Sequence, residues 1–494
     1  MEGHSGIAAL SAEATQARRY DPRSIVRNYG IAALGEAVSK GAAFVATVVV
    51  ARAVAPDDFG RFSFVVALVT IAMLFSDVGL QVVTTRAIAR ERTRAFEYVS
   101  AALIVGIAFS AAAYSAIAIA AAVGALPHDV GRAVAVYAVV LFFAAGVNAY
   151  WSLLRGNDRQ DLVYLTYAIS SAALLIAVVT AAVAGASLVE ILALYVAAIA
   201  LRLFVTIGVV WWKVERPRFP VARAPTRALL VAAPAAALAY VLQEVYSHGD
   251  VVLLGFLVPP ADVGSYAAAY RLVDAVTFLT AGALAAAVFP VFSRLSREAP
   301  EQVPGLYNRL IRLLVAALVP AVLVFVAVAR PLVDAVYSFP NDDAAVIFAL
   351  LAPATVLIAV NFTTMFLALA IGRTGAAIAA GFVAAIVNIV INLAAVPFVG
   401  VEAAAVATVV AEIVMVATFV VVLRRSGFAT ETGRTVAIAA LALLPPLAFA
   451  VAFPSRHVEF AVVGIPFAVG VVTATSLVRP SDLRRVRKFV AGAR

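Results

Sequence analysis

Long apolar stretches alternate with short polar gaps along the whole chain. Fourteen stretches stand out, at about 29–54, 61–84, 98–123, 133–154, 162–185, 188–212, 228–258, 263–291, 309–330, 345–371, 375–397, 401–423, 435–453 and 458–478. Each is long enough to cross a bilayer at about 20 residues per span. A lone apolar segment in lipid must satisfy its backbone groups internally, so every span is predicted to be a helix. The expected fold class is all-α, a polytopic membrane protein with about 14 transmembrane helices. Numbering the gaps alternately separates the charges. Of the 37 Lys+Arg residues, the odd-numbered gaps hold only Arg52, Arg61, Arg132, Arg330 and Arg456. Lys40, Arg202 and Arg271 lie within spans, and the rest occupy the two tails and the even-numbered gaps with their flanks. Positive charge is retained on the cytoplasmic side, so both termini are expected to be cytoplasmic and the chain to be a multi-pass protein of the cytoplasmic membrane.

Composition agrees with this reading and narrows the chemistry. Hydrophobic residues make up 64% of the chain, where a soluble domain is nearer half. The net charge of +9 calls for no nucleic acid, because orientation and anionic headgroups already account for cations beside spans. Cys is absent and only four His occur, which excludes thiol catalysis and thiolate metal sites. No metal and no cofactor is expected. No gap holds a folded domain. The longest odd-numbered one, about 331–344, contains Asp334, Asp342 and Asp343. A membrane enzyme acting outside the cell often needs a sizeable external domain, so a non-enzymatic role is expected.

An internal repeat divides the chain. Val54, Pro56, Asp58, Gly60 and Phe62 return as Val258, Pro260, Asp262, Gly264 and Tyr266, all at an offset of 204. A weaker echo pairs Val189, Glu190 and Ala193 with Val401, Glu402 and Ala405. Six spans per half is even, so the halves share one orientation and two pseudo-symmetric six-helix bundles are expected. The predicted organisation is an N-terminal tail 1–28, a bundle 29–212, a basic linker 213–227, a second bundle 228–424, helices 13 and 14 in 425–478, and a basic tail 479–494. Pro56–Gly60 and Pro260–Gly264 read as turns, since Pro presets φ and Gly relaxes it, and as gating elements. Transporters commonly place their substrate path between such repeats.

Ionisable residues at mid-bilayer cost about 2.5–3.5 kcal/mol on insertion scales, so each calls for a reason. Glu36 and Lys40 fall one turn apart on the first span and Asp77 on the second. Glu244, His248 and Asp250 fall on the seventh, Arg271 and Asp274 on the eighth, and Arg202 and Glu412 on the sixth and twelfth. Most lie on spans 1, 2, 7 and 8, the ones joined by the repeated gap, and a wet cavity between the halves would hydrate them. Structural readings stand beside this. Glu36–Lys40 and Arg271–Asp274 have the spacing of self-neutralising pairs. Arg202 and Glu412 read as structural, and Asn388 and Asn392 as interhelical hydrogen bonds. Asn361-Phe-Thr363 matches a glycosylation acceptor but lies within a span.

Several segments resemble a known family. Ala55-Pro-Asp-Asp-Phe-Gly60, Asp77-Val-Gly-Leu80, Asp262-Val-Gly-Ser-Tyr266, Phe289–Pro290, Gly372–Arg373, and Asn388 to Asn392 with Pro397 and Gly400 are similar to the polysaccharide-biosynthesis flippases. These belong to the multidrug/oligosaccharidyl-lipid/polysaccharide exporter superfamily. The resemblance covers about residues 28–425. It implies a flippase moving a polyprenyl-pyrophosphate-linked oligosaccharide to the outer leaflet by alternating access, with spans 1, 2, 7 and 8 around its cavity. Lys40 looks similar to a cavity cation of the related lipid-linked peptidoglycan precursor flippases. A pyrophosphate calls for cations, and Lys40, Arg271 and Arg52 are the candidates. Glu36, Asp77, Glu244, Asp250 and Asp274 are the candidate coupling acids. The expected partners are the lipid-linked oligosaccharide, membrane lipids, H⁺ or Na⁺, and a glycan polymerase or glycosyltransferase complex. The alternatives are a drug or cation antiporter of the same superfamily, a membrane glycosyltransferase using Asp57–Asp58, and a non-transporting scaffold.

Overall fold

The computed structural model describes residues 22–77, 79–127, 130–216, 218–220, 223–277, 283–337, 342–452 and 457–475. Among them are eighteen α-helices and no strand. The first half holds α1 (Pro22–Ala53), α2 (Pro56–Asp77), α3 (Leu80–Arg90), α4 (Ala95–Ala122), α5 (Gly131–Ala138), α6 (Val140–Gly156), α7 (Gln160–Val183) and α8 (Leu188–Lys213). The second half holds α9 (Arg223–Leu257), α10 (Pro260–Thr277), α11 (Ala283–Glu298), α12 (Val303–Ala327), α13 (Ala329–Val336), α14 (Asp342–Ala370), α15 (Thr374–Val399) and α16 (Glu402–Arg425). The appended pair is α17 (Thr432–Ala452) and α18 (His457–Ala474). Nine described helical segments are long and apolar enough to cross a membrane, and shorter apolar helices accompany them. The protein is an α-helical, multi-pass membrane protein.

The helices depart from the predicted spans where small residues and prolines intervene. The second span is broken: α2 ends at Asp77 and α3 starts at Leu80, with Gly79 in the left-handed region at φ 70°. Glycine occupies that region without the Cβ clash other residues suffer. The fourth span is interrupted at Val139 between α5 and α6. Pro56–Gly60 and Pro260–Gly264 are helical, which corrects the turn expectation. Pro56 and Pro260 open α2 and α10, because a residue lacking an N–H with φ preset suits the first helical position. The actual connections are only Val54–Ala55 and Val258–Pro259.

The appended pair is fastened to α12 and α14. Arg312 holds Glu431 at 2.8 Å. The buried Tyr307 hydroxyl meets Thr364 at 2.7 Å and Thr432 at 2.8 Å. α17 therefore starts on a polar anchor set against α12, and its apolar turns pack with α12 and α18.

Candidate functional site

Three polar centres and one closure define the interior. The first centre lies between the halves. Arg271 and Asp274 on α10 approach to 3.9 Å, yet their side chains are 37% and 49% exposed. An exposed ion pair in mid-span faces either lipid or a water-filled space. The charges of His248 on α9 and Lys40 on α1 act on Asp274 along with that of Arg271, so charged side chains of both halves come near one another here. Lys40 is itself exposed. Lys40, Arg271 and Asp274 are thus brought near one another. The side chains of Glu36 and Glu244 lie outside the described residues.

An aromatic layer sits near this group of charges. Arg271 acts electrostatically on Tyr137, Tyr195 and Tyr337. Phe62 meets Tyr195 edge-on at 5.5 Å, Tyr195 meets Tyr137 at 6.4 Å, and Phe59 meets Tyr337 at 6.2 Å. Tyr337 donates to the Ala268 carbonyl at 3.0 Å. These aromatics were not singled out from the sequence, because single Tyr residues in apolar spans carry no spacing signal.

Beyond the aromatics the two repeated motifs cross. A Cβ added at Gly60 would overlap the carbonyl oxygen of Pro260, and one at Gly264 would stand 3.0 Å from the Pro56 oxygen. The N-terminal turns of α2 and α10 are therefore in backbone contact, each glycine admitting the other half's proline carbonyl. Arg52, expected beside a pyrophosphate, donates instead to the carbonyls of Val336, at 2.8 Å, and Ala335. It caps the C-terminus of α13, where a cation offsets the helix dipole, and so ties the end of α1 to the second half. The face carrying the odd-numbered gaps is closed.

Acids ring this closed face. Burial pushes the Asp262 carboxyl above the usual carboxylate range, and the charges of Asp343, Glu402 and Asp57 add to the effect. The closed arrangement therefore binds a proton on Asp262 more tightly than one that separates these acids. Its stabilisation by that proton is present at low pH and is lost as pH rises from the ordinary carboxylate value, about 4, through the raised one. Acidification is expected to favour closure. The chain has no Cys, so spin labels at Ala55→Cys and Pro259→Cys report the separation directly. The distance distribution should shift shorter on acidification. Its pH response should disappear in Asp262→Asn; a response unchanged by that substitution would assign the effect elsewhere.

The second centre surrounds Asp77. Its carboxylate accepts the Gln81 N–H at 3.2 Å and so caps α3. Gln81 donates to Asn148 at 3.1 Å and accepts from Arg155 at 2.6 Å, while Ser152 donates to the Gln81 carbonyl at 3.2 Å. Asp77, Gln81, Asn148 and Ser152 line a small cavity among α3, α4 and α6. Asp77 thus sits in a polar site inside the first half, made by the break in the second span.

The third centre surrounds Asp250, which is 5% exposed. It was expected to line the wet cavity and is instead enclosed. Tyr266 donates to it at 2.8 Å, Thr408 at 2.9 Å and Asn392 at 3.4 Å, and Asn388 bonds it as well. The Asn392 carbonyl oxygen is buried with no hydrogen-bond partner. The sequence carried one signal for this site: where the first repeat has Phe62, the second has Tyr266, adding a hydroxyl to the same position. Asn388 and Asn392, read as interhelical hydrogen bonds, serve here as companions of a buried carboxylate. Arg202, read as structural, stacks over Tyr167 at 4.0 Å and donates to Ser170 at 2.8 Å.

The helical body thus holds separate polar centres and meets itself at one closed face. The chain belongs to the polysaccharide biosynthesis protein family, whose model matches residues 25–296. Its fold is similar to that of "Lipid II flippase MurJ, inward closed conformation", with TM-score 0.73 and 14% identity over 92% of this chain and 99% of that one. It is also similar to an inward-facing multidrug resistance transporter of the MATE family and MOP superfamily, with TM-score 0.65 and 16% identity over 79% of this chain and 95% of that one. A MOP superfamily transporter from Pyrococcus furiosus, described by the reverse polarity of its binding pocket, gives TM-score 0.55 and 16% identity over 82% and 96%. No curated protein matches the sequence.

Proposed function

We propose that this protein is a transporter, a flippase carrying a polyprenyl-pyrophosphate-linked oligosaccharide from the cytoplasmic to the outer leaflet of the cytoplasmic membrane. The observation that carries the reading is the half-exposed group of Lys40, Arg271 and Asp274 at mid-span, between two halves whose opposite face is closed. A pyrophosphate needs cations in a confined, poorly screened space, and a glycan needs water and few specific contacts. The two units, 29–212 and 228–424, rock so that the Gly60–Gly264 crossing forms and parts, and 425–478 shapes the lateral path of the lipid tail. Lys40 and Arg271 hold the pyrophosphate. Arg52 latches the outer face. Occupation of the Asp250 site by H⁺ or Na⁺ biases the second half between its two arrangements, with both termini cytoplasmic.

A deletion strain tests this through the sidedness of its lipid-linked glycan. The expected result is accumulation on the cytoplasmic leaflet and loss of surface polymer, restored by the wild-type gene. A charge-assisted hydrogen bond contributes about 1.5–3 kcal/mol, so Arg271→Ala and Lys40→Ala should each lower export by about tenfold or more. Normal surface glycan with reduced efflux of organic cations would replace the flippase reading by the antiporter one.

A further inference from the structure

A second buried carboxylate in the C-terminal half has no part in the function derived above. Glu412 lies in the middle of α16 and is 2% exposed. Asn361, on α14 and also 2% exposed, donates its amide N–H to Glu412 Oε2 at 2.6 Å and to the Glu412 backbone carbonyl at 3.1 Å. The other end of that amide, Asn361 Oδ1, is buried with no hydrogen-bond partner. An orphaned buried acceptor is destabilising, and here it belongs to the residue bonded to the carboxylate. A proton on Glu412 gives that oxygen a donor: with the Asn361 amide turned by half a rotation, the acid O–H donates to Oδ1 and the amide N–H gives up its bonds to Glu412. Asn361 is thus suited to two states of Glu412, and the structure shows one of them.

The surroundings connect Glu412 to the two sites already described. Thr408, which donates to Asp250, is one turn earlier on α16. Tyr270 on α10 feels the charges of Asp274, Asp250 and Glu412 together, and its ring stacks on that of Tyr266 at 5.9 Å. Among the helices packed on α16, α15 contains no Asp, Glu, His, Lys or Arg, α14 only Asp342 and Asp343 in its first turn, and α17 only Arg434. Tyr270 and Tyr266 on α10 and Asp250 on α9 are therefore the titratable groups nearest in this electrostatic set, and Asp274 is its member between the halves.

We infer that Glu412 is a proton-binding site of the C-terminal half, one helical turn from the Asp250 site, with Asn361 reporting its protonation to α14. A proton suits the site better than a metal ion. Asn361 turns its N–H toward the carboxylate, whereas a hard cation gathers several oxygens. The reaction is a transfer of one proton between the Glu412 carboxyl and water beside Asp274, with no other bond made or broken. The role in coupling rests on the transport reading; the binding site does not.

Infrared spectra of the purified protein in liposomes test the site without substrate. The wild type should show a protonated-carboxyl band that titrates with pH, absent in Glu412→Gln and retained in Asp250→Asn. Asn361→Ala, which keeps the acid and removes its donor, should shift the midpoint of that band, and it serves as the readout if Glu412→Gln fails to fold. In proteoliposomes, Glu412→Gln should lose at least about tenfold of the transport driven by a pH gradient, with partial recovery in Glu412→Asp. Identical spectra and midpoints in wild type, Glu412→Gln and Asn361→Ala overturn the inference, as does wild-type pH-driven transport in Glu412→Gln. If the band titrates as expected but the wild type moves no lipid-linked glycan, the flippase reading falls and the proton site stands.

Discussion

Replacing Gly60 by alanine or leucine is expected to open the outer face and to abolish most export. The position leaves no room for a side chain, because an added Cβ would overlap the carbonyl oxygen of Pro260. That atom belongs to backbone at the start of α10, where no rotamer change can relieve the contact. Overpacking of this kind disfavours a packed arrangement by about 1–3 kcal/mol, which shifts a two-state gate by roughly five- to 150-fold. The effect falls on one state only, since the crossing of α2 and α10 exists only while the face is closed. Gly264→Ala is expected to be milder, because its Cβ would stand 3.0 Å from the Pro56 oxygen, a contact that a small shift relieves. Val263 is 1% exposed beside the crossing, and the chain has no native Cys. Labelling of Val263→Cys by an impermeant thiol reagent should therefore be slow in the parent and fast with Gly60→Leu. Normal export with an unlabelled Val263→Cys would remove the crossing from the mechanism.

The second large effect is expected at Asp250. Asp250→Asn keeps the shape of the side chain but not its charge, so it should fold, reach the membrane and lose about tenfold or more of ion-driven export. Asp250→Ala should in addition be less stable. It removes the acceptor shared by Tyr266, Thr408 and Asn392, which keep only their bonds to one another, to the Ala404 carbonyl and to Asn388, at about 1–3 kcal/mol in all. Thermal unfolding in detergent separates the two variants: only the alanine form should melt well below wild type. Export by Asp250→Asn at the wild-type rate, with the wild-type response to H⁺ and Na⁺ gradients, would make the Asp250 site structural. Tyr266→Phe is the intermediate case, since it restores the residue type of the first repeat at Phe62 and deletes one donor to the carboxylate.

The membrane character, the helical class and the repeat were legible in the sequence because each rests on a local or periodic signal. Spans follow from the length of apolar runs, and lipid leaves helix as the form in which a lone run can satisfy its backbone. Pro56–Gly60 and Pro260–Gly264 were legible as a repeat but misread as turns. Proline followed by glycine in a short gap fits a turn as well as a helix start, and only contact with another helix separates the two. Lys40, Arg271 and Asp274 were legible as a cluster because charge is rare in apolar spans. Arg52 reads from the sequence as a pyrophosphate cation, because its actual partners, the carbonyls of Ala335 and Val336, are backbone atoms far along the chain and carry no residue-type signal.

What the sequence determined by itself, then, is the all-α membrane body, its internal repeat and the list of charges that lipid would not tolerate unpartnered. Only the tertiary structure decided how those charges are partitioned. It put Lys40, Arg271 and Asp274 near one another between the halves, Asp77 into the break of the second span, and Asp250 behind Tyr266 and Thr408. The physical reason is that membrane insertion depends on composition summed along one helix. The environment of a single carboxylate depends on which neighbouring helices bring a donor, a cation or water within hydrogen-bond reach.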